Sequence, residues 1–180
     1  MFYLTIDEDI HVRTLHPDDA DEYFQLVEQN RSRLSPWIHP SALPETVLAA
    51  KKFTAECFFN SLDNPELAMV EFDNYFRDLD HYFPLSNTPM ELGIWVEQSL
   101  VGMIMLVRLQ DSYSAAEFGY WISREMEGRG IITRCVSALM DYAIENMDIE
   151  RFVIGCAAEN RHSCAVPERL GYRLHGYVPD

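Results

Sequence analysis

The sequence predicts an α/β (α+β) protein built on a mixed, mostly antiparallel central sheet flanked by helices. Three stretches carry that prediction. From Met90 to Ser123 the apolar pattern becomes strand-like, in runs joined by short polar turns, and reads as three consecutive antiparallel strands. A turn with Gly128 and Gly130 then opens a run in which Ile131, Cys135, Ala138, Leu139 and Tyr142 share one helical face. The apolar run Arg151–Ala157 follows. Strand, helix and strand therefore form a unit whose crossover is right-handed and whose strands pair in parallel.

Taken in order, Ile10–Arg13 alternates apolar and polar and is expected as the first strand. His16-Pro17-Asp18-Asp19-Ala20 is a helix start with acids in its first turn, and Ala20, Tyr23, Phe24 and Val27 give that helix a face for the sheet. Arg31–Pro40, punctuated by Pro36 and Pro40, is expected as a loop carrying Trp37 and His39. Glu45–Phe59 is a second helix, and Leu62–Leu85 holds a third, broken before Pro84. Asp73, Asp78, Asp80 and His81 have no fixed ligand spacing and read as a solvated helix face, so no metal site is assigned.

The three strands are Leu92–Val96, Val101–Leu109 and Tyr113–Ser123, with turns at Glu97-Gln98-Ser99 and Gln110-Asp111-Ser112. Arg151–Ala157 is apolar enough for a strand covered on both faces. A short helix follows, with Asn160 or Ser163 as N-cap, Pro167 awkward inside it and Gly171 at its end. Tyr172–Val178 is a last strand. No repeat or linker divides residues 1–180, which are read as one domain.

Composition narrows the function. With 180 residues, 48% of them apolar and 24% charged, the chain suits a globular domain able to bury a core. No apolar run approaches the roughly 18 residues of a membrane span, and the N-terminus lacks a signal peptide's basic region, so no membrane is expected. The net charge of −15, from 29 acidic and 14 basic residues, argues against a nucleic-acid surface and is compatible with steering a basic substrate. Cys57, Cys135, Cys156 and Cys164 show no CxxC spacing and read as the reduced thiols of a cytoplasmic protein.

A glycine turn that opens a helix offers unpaired N–H groups and the positive end of the helix dipole, a place to hold a phosphate. No Lys-Ser/Thr follows it, so it is not a P-loop. The order of Ala-Glu-Phe-Gly-Tyr-Trp-Ile (116–122), Glu-Gly-Arg-Gly-Ile-Ile-Thr (127–133), Asn-Arg-His-Ser (160–163) and Leu-Gly-Tyr (170–172) resembles the GNAT N-acetyltransferases. Within them it is similar to the group that acetylates the N-terminal serine or alanine of ribosomal proteins. Asn-Arg-Ser-Arg-Leu-Ser-Pro-Trp (30–37) and Gly-Ile-Trp-Val-Glu-Gln-Ser-Leu-Val-Gly (93–102) extend the match to most of the chain outside about 62–89.

The resemblance implies that the parallel strands, Glu117–Ile122 and Arg151–Ala157, splay apart and receive the pantetheine of acetyl-CoA. Backbone groups of Trp121, Ile122 and Ser123 are then expected to pair with its amides. Gly128, Arg129, Gly130, Ile131, Ile132 and Thr133 are expected to hold the pyrophosphate, and Asn160 and Ser163 to meet the cofactor near its thiol. It also implies direct transfer to an amine, from a protein N-terminus or a small molecule. Glu117 is the leading general base, directly or through water, or else an exposed strand carboxylate. Ser163 is a donor to the departing thiolate, or else a helix cap. His162 and His39 are weaker candidates, and a bulge near Phe118–Tyr120 is expected to present an oxyanion N–H.

Some residues depart from the family's pattern. Glu127 sets a carboxylate beside the diphosphate, with Arg124, Arg129 and Arg134 at hand to offset it; Pro167 and His175 are also unusual. A further strand that usually lies beside Arg151–Ala157 is not recognised, which leaves an apolar edge open to another chain, so a homodimer or poor solubility is expected. The same departures define the alternative, a non-catalytic or decayed acyl-CoA-binding protein on this fold.

Overall fold

The computed structural model describes residues 1–62, 89–109 and 114–177, and gathers six strands into one sheet in chain order. These are β1 (Tyr3–Thr5), β2 (Ile10–Thr14), β3 (Met90–Val96), β4 (Ser99–Arg108), β5 (Ala115–Ile122) and β6 (Arg151–Ile154). Neighbours are antiparallel as far as β5, and β5 and β6 are parallel. Among the described residues the α-helices are α1 (Ala20–Leu34), α2 (Val47–Asn60), α3 (Ile131–Met147) and α4 (Arg161–Arg169).

Side chains alternate across each strand, so the sheet has two faces and a separate core on each. Ile94, Ile104 and Phe118 join Cys135, Val136 and Leu139 of α3 on one face. Trp95, Leu100 and Met103 join Tyr23, Val27 and Leu34 of α1 and Ala50 of α2 on the other. Burial of a large aliphatic side chain contributes about 2 kcal/mol, and the buried stripe of α3 holds Ile131, Ile132, Cys135, Val136, Leu139 and Ala143. That stripe lies one step round the helix from the expected one, with Ala138 and Tyr142 only half-buried.

Several expectations need correction. Strand β1 is an addition; three residues are too few to show a period. Helix α1 runs to Leu34, so Arg31–Leu34 is helical and the loop begins after it. Strand β6 ends at Ile154 and alternates exposed and half-buried, with Val153 45% exposed, so it is covered on one face only. Among the described residues β6 pairs with β5 alone and forms the sheet's edge. Residues 172–177 form no strand, and Leu174 and Tyr177 are exposed. Of the expected strand Tyr172–Val178, the described residues 172–177 therefore pair with no strand of the sheet. The helix and acidic residues expected within 63–88, and the turn at 110–112, lie outside the described residues.

Candidate active site

Strand β5 joins the two faces of the molecule. The Ser123 N–H donates to the Val101 carbonyl at 2.7 Å, and the Leu109 N–H donates to the Ala115 carbonyl at 2.9 Å. Such pairs alternate along an antiparallel ladder. The β4–β5 register is unbroken from Gly102↔Ile122 to Arg108↔Ala116, so odd-numbered β5 residues turn their backbone groups to β4 and even-numbered ones turn away from it. On the far side pairing with β6 ends at Phe118↔Ile154. Beyond that pair the strands part, and Tyr120 and Ile122 turn their backbone groups to that side, where the Ile122 carbonyl accepts from Arg33.

This geometry corrects two expectations. The backbones of Trp121 and Ser123 face β4, and the Ser123 carbonyl accepts from the Met126 N–H at 3.0 Å. Of the three residues expected to meet pantetheine, only Ile122 presents its backbone to the gap, and Tyr120 joins it. The unbroken register also rules out a bulge at Phe118–Tyr120; the irregularity lies between β3 and β4, at Ile94/Trp95.

Gly128 and Gly130 have φ of 73° and 70°, the left-handed region that suits glycine. Gly130 caps α3 in that conformation. The first internal bond of the helix runs from the Arg134 N–H to the Gly130 carbonyl, at 3.1 Å. The N–H groups of Ile131, Ile132 and Thr133 therefore have no partner within the helix. Thr133 Oγ1 is buried with no hydrogen-bond partner among the described residues. Unmet donors at the positive end of a helix fit an anion such as a diphosphate.

The Glu127 carboxylate does not stand free beside these groups. Arg33 of α1 donates to it at 2.6 Å and also donates to the Ile122 carbonyl. Arg33 and Asn30 thus tie α1 to the glycine turn, because Asn30 Oδ1 accepts from the Arg124 N–H at 3.1 Å. The charge at Glu127 is offset by Arg33 rather than by Arg124, Arg129 or Arg134; Arg134 pairs with Asp7.

Beyond the gap, Asn160 caps α4 by accepting from the Ser163 N–H at 3.2 Å, which settles the choice of cap. Pro167 sits inside the helix, which continues to Arg169. Without an N–H, Pro167 cannot bond the Ser163 carbonyl four residues back. That carbonyl accepts instead from the Tyr120 hydroxyl at 3.1 Å. Burial pushes the Tyr120 hydroxyl up to about 12, so it stays a donor at neutral pH.

A cavity of about 1530 Å³ runs from the glycine turn through the gap to the face covered by α1 and α2. Glu117, Trp121, Ile122, Gly128, Gly130, Ile131, Ile132, Thr133, Asn160 and Ser163 line it; Ser123 and Arg129 do not. Arg129 lies on the outer side of the turn, with Asp7, Asp9 and Arg134. Trp37 and Phe53 line the α1/α2 end. His39 lines it too, with Nδ1 2.7 Å from Ser41 Oγ. His162 is largely exposed, 4.0 Å from Glu127.

Two carboxylates reach this cavity from the same sheet face. Glu117 bends toward the point where the strands part, its Oε1 3.0 Å from where a Cβ on Gly155 would sit. Glu91 on β3 was not singled out from sequence. Burial pushes its carboxyl up to about 7, with smaller effects from the Cys57 thiol, which lowers it, and Glu56, which raises it. The Cys57 thiol lies 3.6 Å from Glu91 Oε2. Among the described residues no group of three His, Cys, Asp or Glu could hold a metal, and no helix is long and apolar enough to cross a membrane.

A helix start with unmet N–H donors, opposite parallel strands whose pairing ends beside a through-going cavity, is an arrangement that suits an acyl-CoA-dependent transferase. Residues 9–173 match the family model described as an acetyltransferase (GNAT) domain, and the chain belongs to that family. It is 33% identical over all its 180 residues to a Bacillus subtilis protein, YdaF, named as a candidate ribosomal N-acetyltransferase, covering 86% of that protein. It is 35% identical to the ribosomal-protein-serine acetyltransferase of Escherichia coli over 83 residues, 46% of each chain. Among solved structures, the RimL ribosomal L7/L12 α-N-protein acetyltransferase in complex with coenzyme A superposes with a TM-score of 0.73 at 20% identity, covering 97% of this chain and 86% of that one. That likeness bears on the fold.

Proposed function

We propose that this protein transfers the acetyl group of acetyl-CoA to the N-terminal α-amine of a ribosomal protein. The observation that carries the reading is the through-going cavity. One end presents the unpaired donors of the α3 start and the orphaned Thr133 hydroxyl, and the other presents two carboxylates. The first end suits a diphosphate and the second an ammonium.

In this reading Gly128, Gly130, Ile131, Ile132 and Thr133 hold the pyrophosphate, and the Tyr120 and Ile122 backbones align pantetheine in the gap. Glu117 accepts the amine's proton, directly or through water. An α-amine, which in a free peptide titrates at about pH 8, asks less of that base than a lysine at about 10.4. Asn160 and Ser163 stand near the thiol, and the Ser163 hydroxyl, which is not the helix cap and bonds the Cys156 thiol, protonates the leaving thiolate. The names of the relatives support a ribosomal acceptor.

Acetyl-CoA at a hundredfold excess over its Kd is expected to stabilise the protein by about 2.7 kcal/mol, which raises Tm by about 5 °C or more. Differential scanning fluorimetry reads the shift, and no shift at saturation would sink the reading. Mass spectrometry of ribosomal proteins incubated with enzyme and acetyl-CoA then tests the acceptor, with a polyamine as the competing amine. The outer edge of β6, which pairs with no further strand among the described residues, also supports pairing with a second copy. Light scattering is expected to show a dimer, and a soluble active monomer would count against it.

A further inference from the structure

Two of the four free cysteines meet beside the strand gap, and acetyl transfer gives neither a role. Cys156 follows the end of β6 and is exposed, and Cys164 is in the first turn of α4 and half-buried. Their sulfurs are 3.2 Å apart. Cys164 Sγ also lies 3.4 Å from the Ala157 carbonyl, so the thiol of the helix is turned toward the strand end. A disulfide needs the sulfurs at about 2.05 Å, and Cys156 stands on an exposed, non-helical segment that can supply so small a move. Cys57 and Cys135 are buried and do not compete. Cys156 also lines the cavity, in company with Asn160 and Ser163.

We propose that Cys156 and Cys164 form a thiol–disulfide exchange site that takes a small-molecule disulfide and, once oxidised, closes the strand gap to acetyl-CoA. The Cys156 thiolate attacks one sulfur of the incoming disulfide and releases its partner as a thiolate. The Cys164 thiolate then attacks the Cys156 sulfur and releases the second. The protein loses two hydrogens and the oxidant leaves as two thiols, which take up the two protons. The new bond pins the end of β6 to the first turn of α4, across the wall that Asn160 and Ser163 give to the gap. The closure rests on the acetyl-CoA reading of that gap; the exchange does not.

Burial, then the hydrogen bond and proximity of Cys164, push the Cys156 thiol up to about 11. Ser163 and Glu168 of α4 and Tyr120 of β5 also face this pair. The thiolate is therefore scarce at neutral pH, and exchange quickens as pH rises.

The test treats the full chain with oxidised glutathione at mildly alkaline pH, followed by non-reducing peptide mapping and calorimetry with acetyl-CoA. A Cys156–Cys164 disulfide is expected to form, acetyl-CoA affinity to fall by about tenfold or more, and dithiothreitol to restore both. Cys164→Ser is expected to stop at a glutathione adduct on Cys156. Two thiols that stay free, or a disulfide that leaves affinity unchanged, would overturn the proposal. Reduced protein is measured first. If it fails to bind acetyl-CoA, the acetyl-CoA reading and the closure fall together, while disulfide formation is still read independently by mass.

Discussion

Glu117→Gln is expected to lower kcat by about 10²-fold or more, the usual contribution of a positioned general base, and to leave acetyl-CoA affinity unchanged. Glu117 is on the last stretch of β5 that still pairs with β6, opposite Val153. Its carboxylate points to Gly155, where the strands part, and it lines the cavity. In the proposed reading, an amine entering from the α1/α2 end of the cavity meets it before reaching the thioester. Glutamine keeps the volume and the hydrogen-bonding shape but cannot take a proton near neutrality. Steady-state kinetics separate the roles, because loss of a base lowers kcat whereas loss of a strand contact lowers stability. A variant with wild-type kcat and a lower Tm would reduce Glu117 to a structural carboxylate.

Much of the frame was legible in the sequence, because local chemistry specifies it. Gly128 and Gly130 announced backbone that other residues avoid, and both have positive φ. The change of period at Met90 announced the antiparallel strands, and these fall within a few residues of the expected bounds. Element type follows from spacing, and spacing is visible in one chain.

What was missed depends on partners distant in sequence. Nothing near Glu127 tells that Arg33, 94 residues earlier, neutralises it. Pro167 looked disruptive because the hydroxyl that compensates it comes from Tyr120, on another element. The choice between Trp121 and Tyr120 as the residue facing the gap is one of strand parity, which depends on which residues of β4 pair with β5. Strand β6 looked fully covered because an apolar edge strand and an apolar central strand have the same composition.

Glu91 was invisible for the same reason, and it carries the other large effect. The wild-type protein is expected to lose stability, relative to Glu91→Gln, as pH rises from about 5 to about 8. Burial moves the Glu91 carboxyl from 4.5 to about 7. Below both values the group is neutral whether the chain is folded or not. Above both it is ionised in each state, and the folded state carries the cost of a charge held largely out of water. Stability from this raised group is therefore full at low pH and is lost as pH passes through about 7. The rise from 4.5 to about 7 sets an upper bound of about 3.4 kcal/mol. Cys57 and Glu56 on α2 and Tyr23 on α1 face the same space. The Cys57 thiol and Tyr23 hydroxyl are both pushed up by burial and stay neutral over this range. Glu56 is present in both proteins, so the comparison isolates Glu91, and a permanently neutral Gln removes the slope that Glu91 contributes. Urea denaturation of both proteins at the two pH values measures the difference, and an equal gap at each pH would show that Glu91 ionises as it does in the unfolded chain.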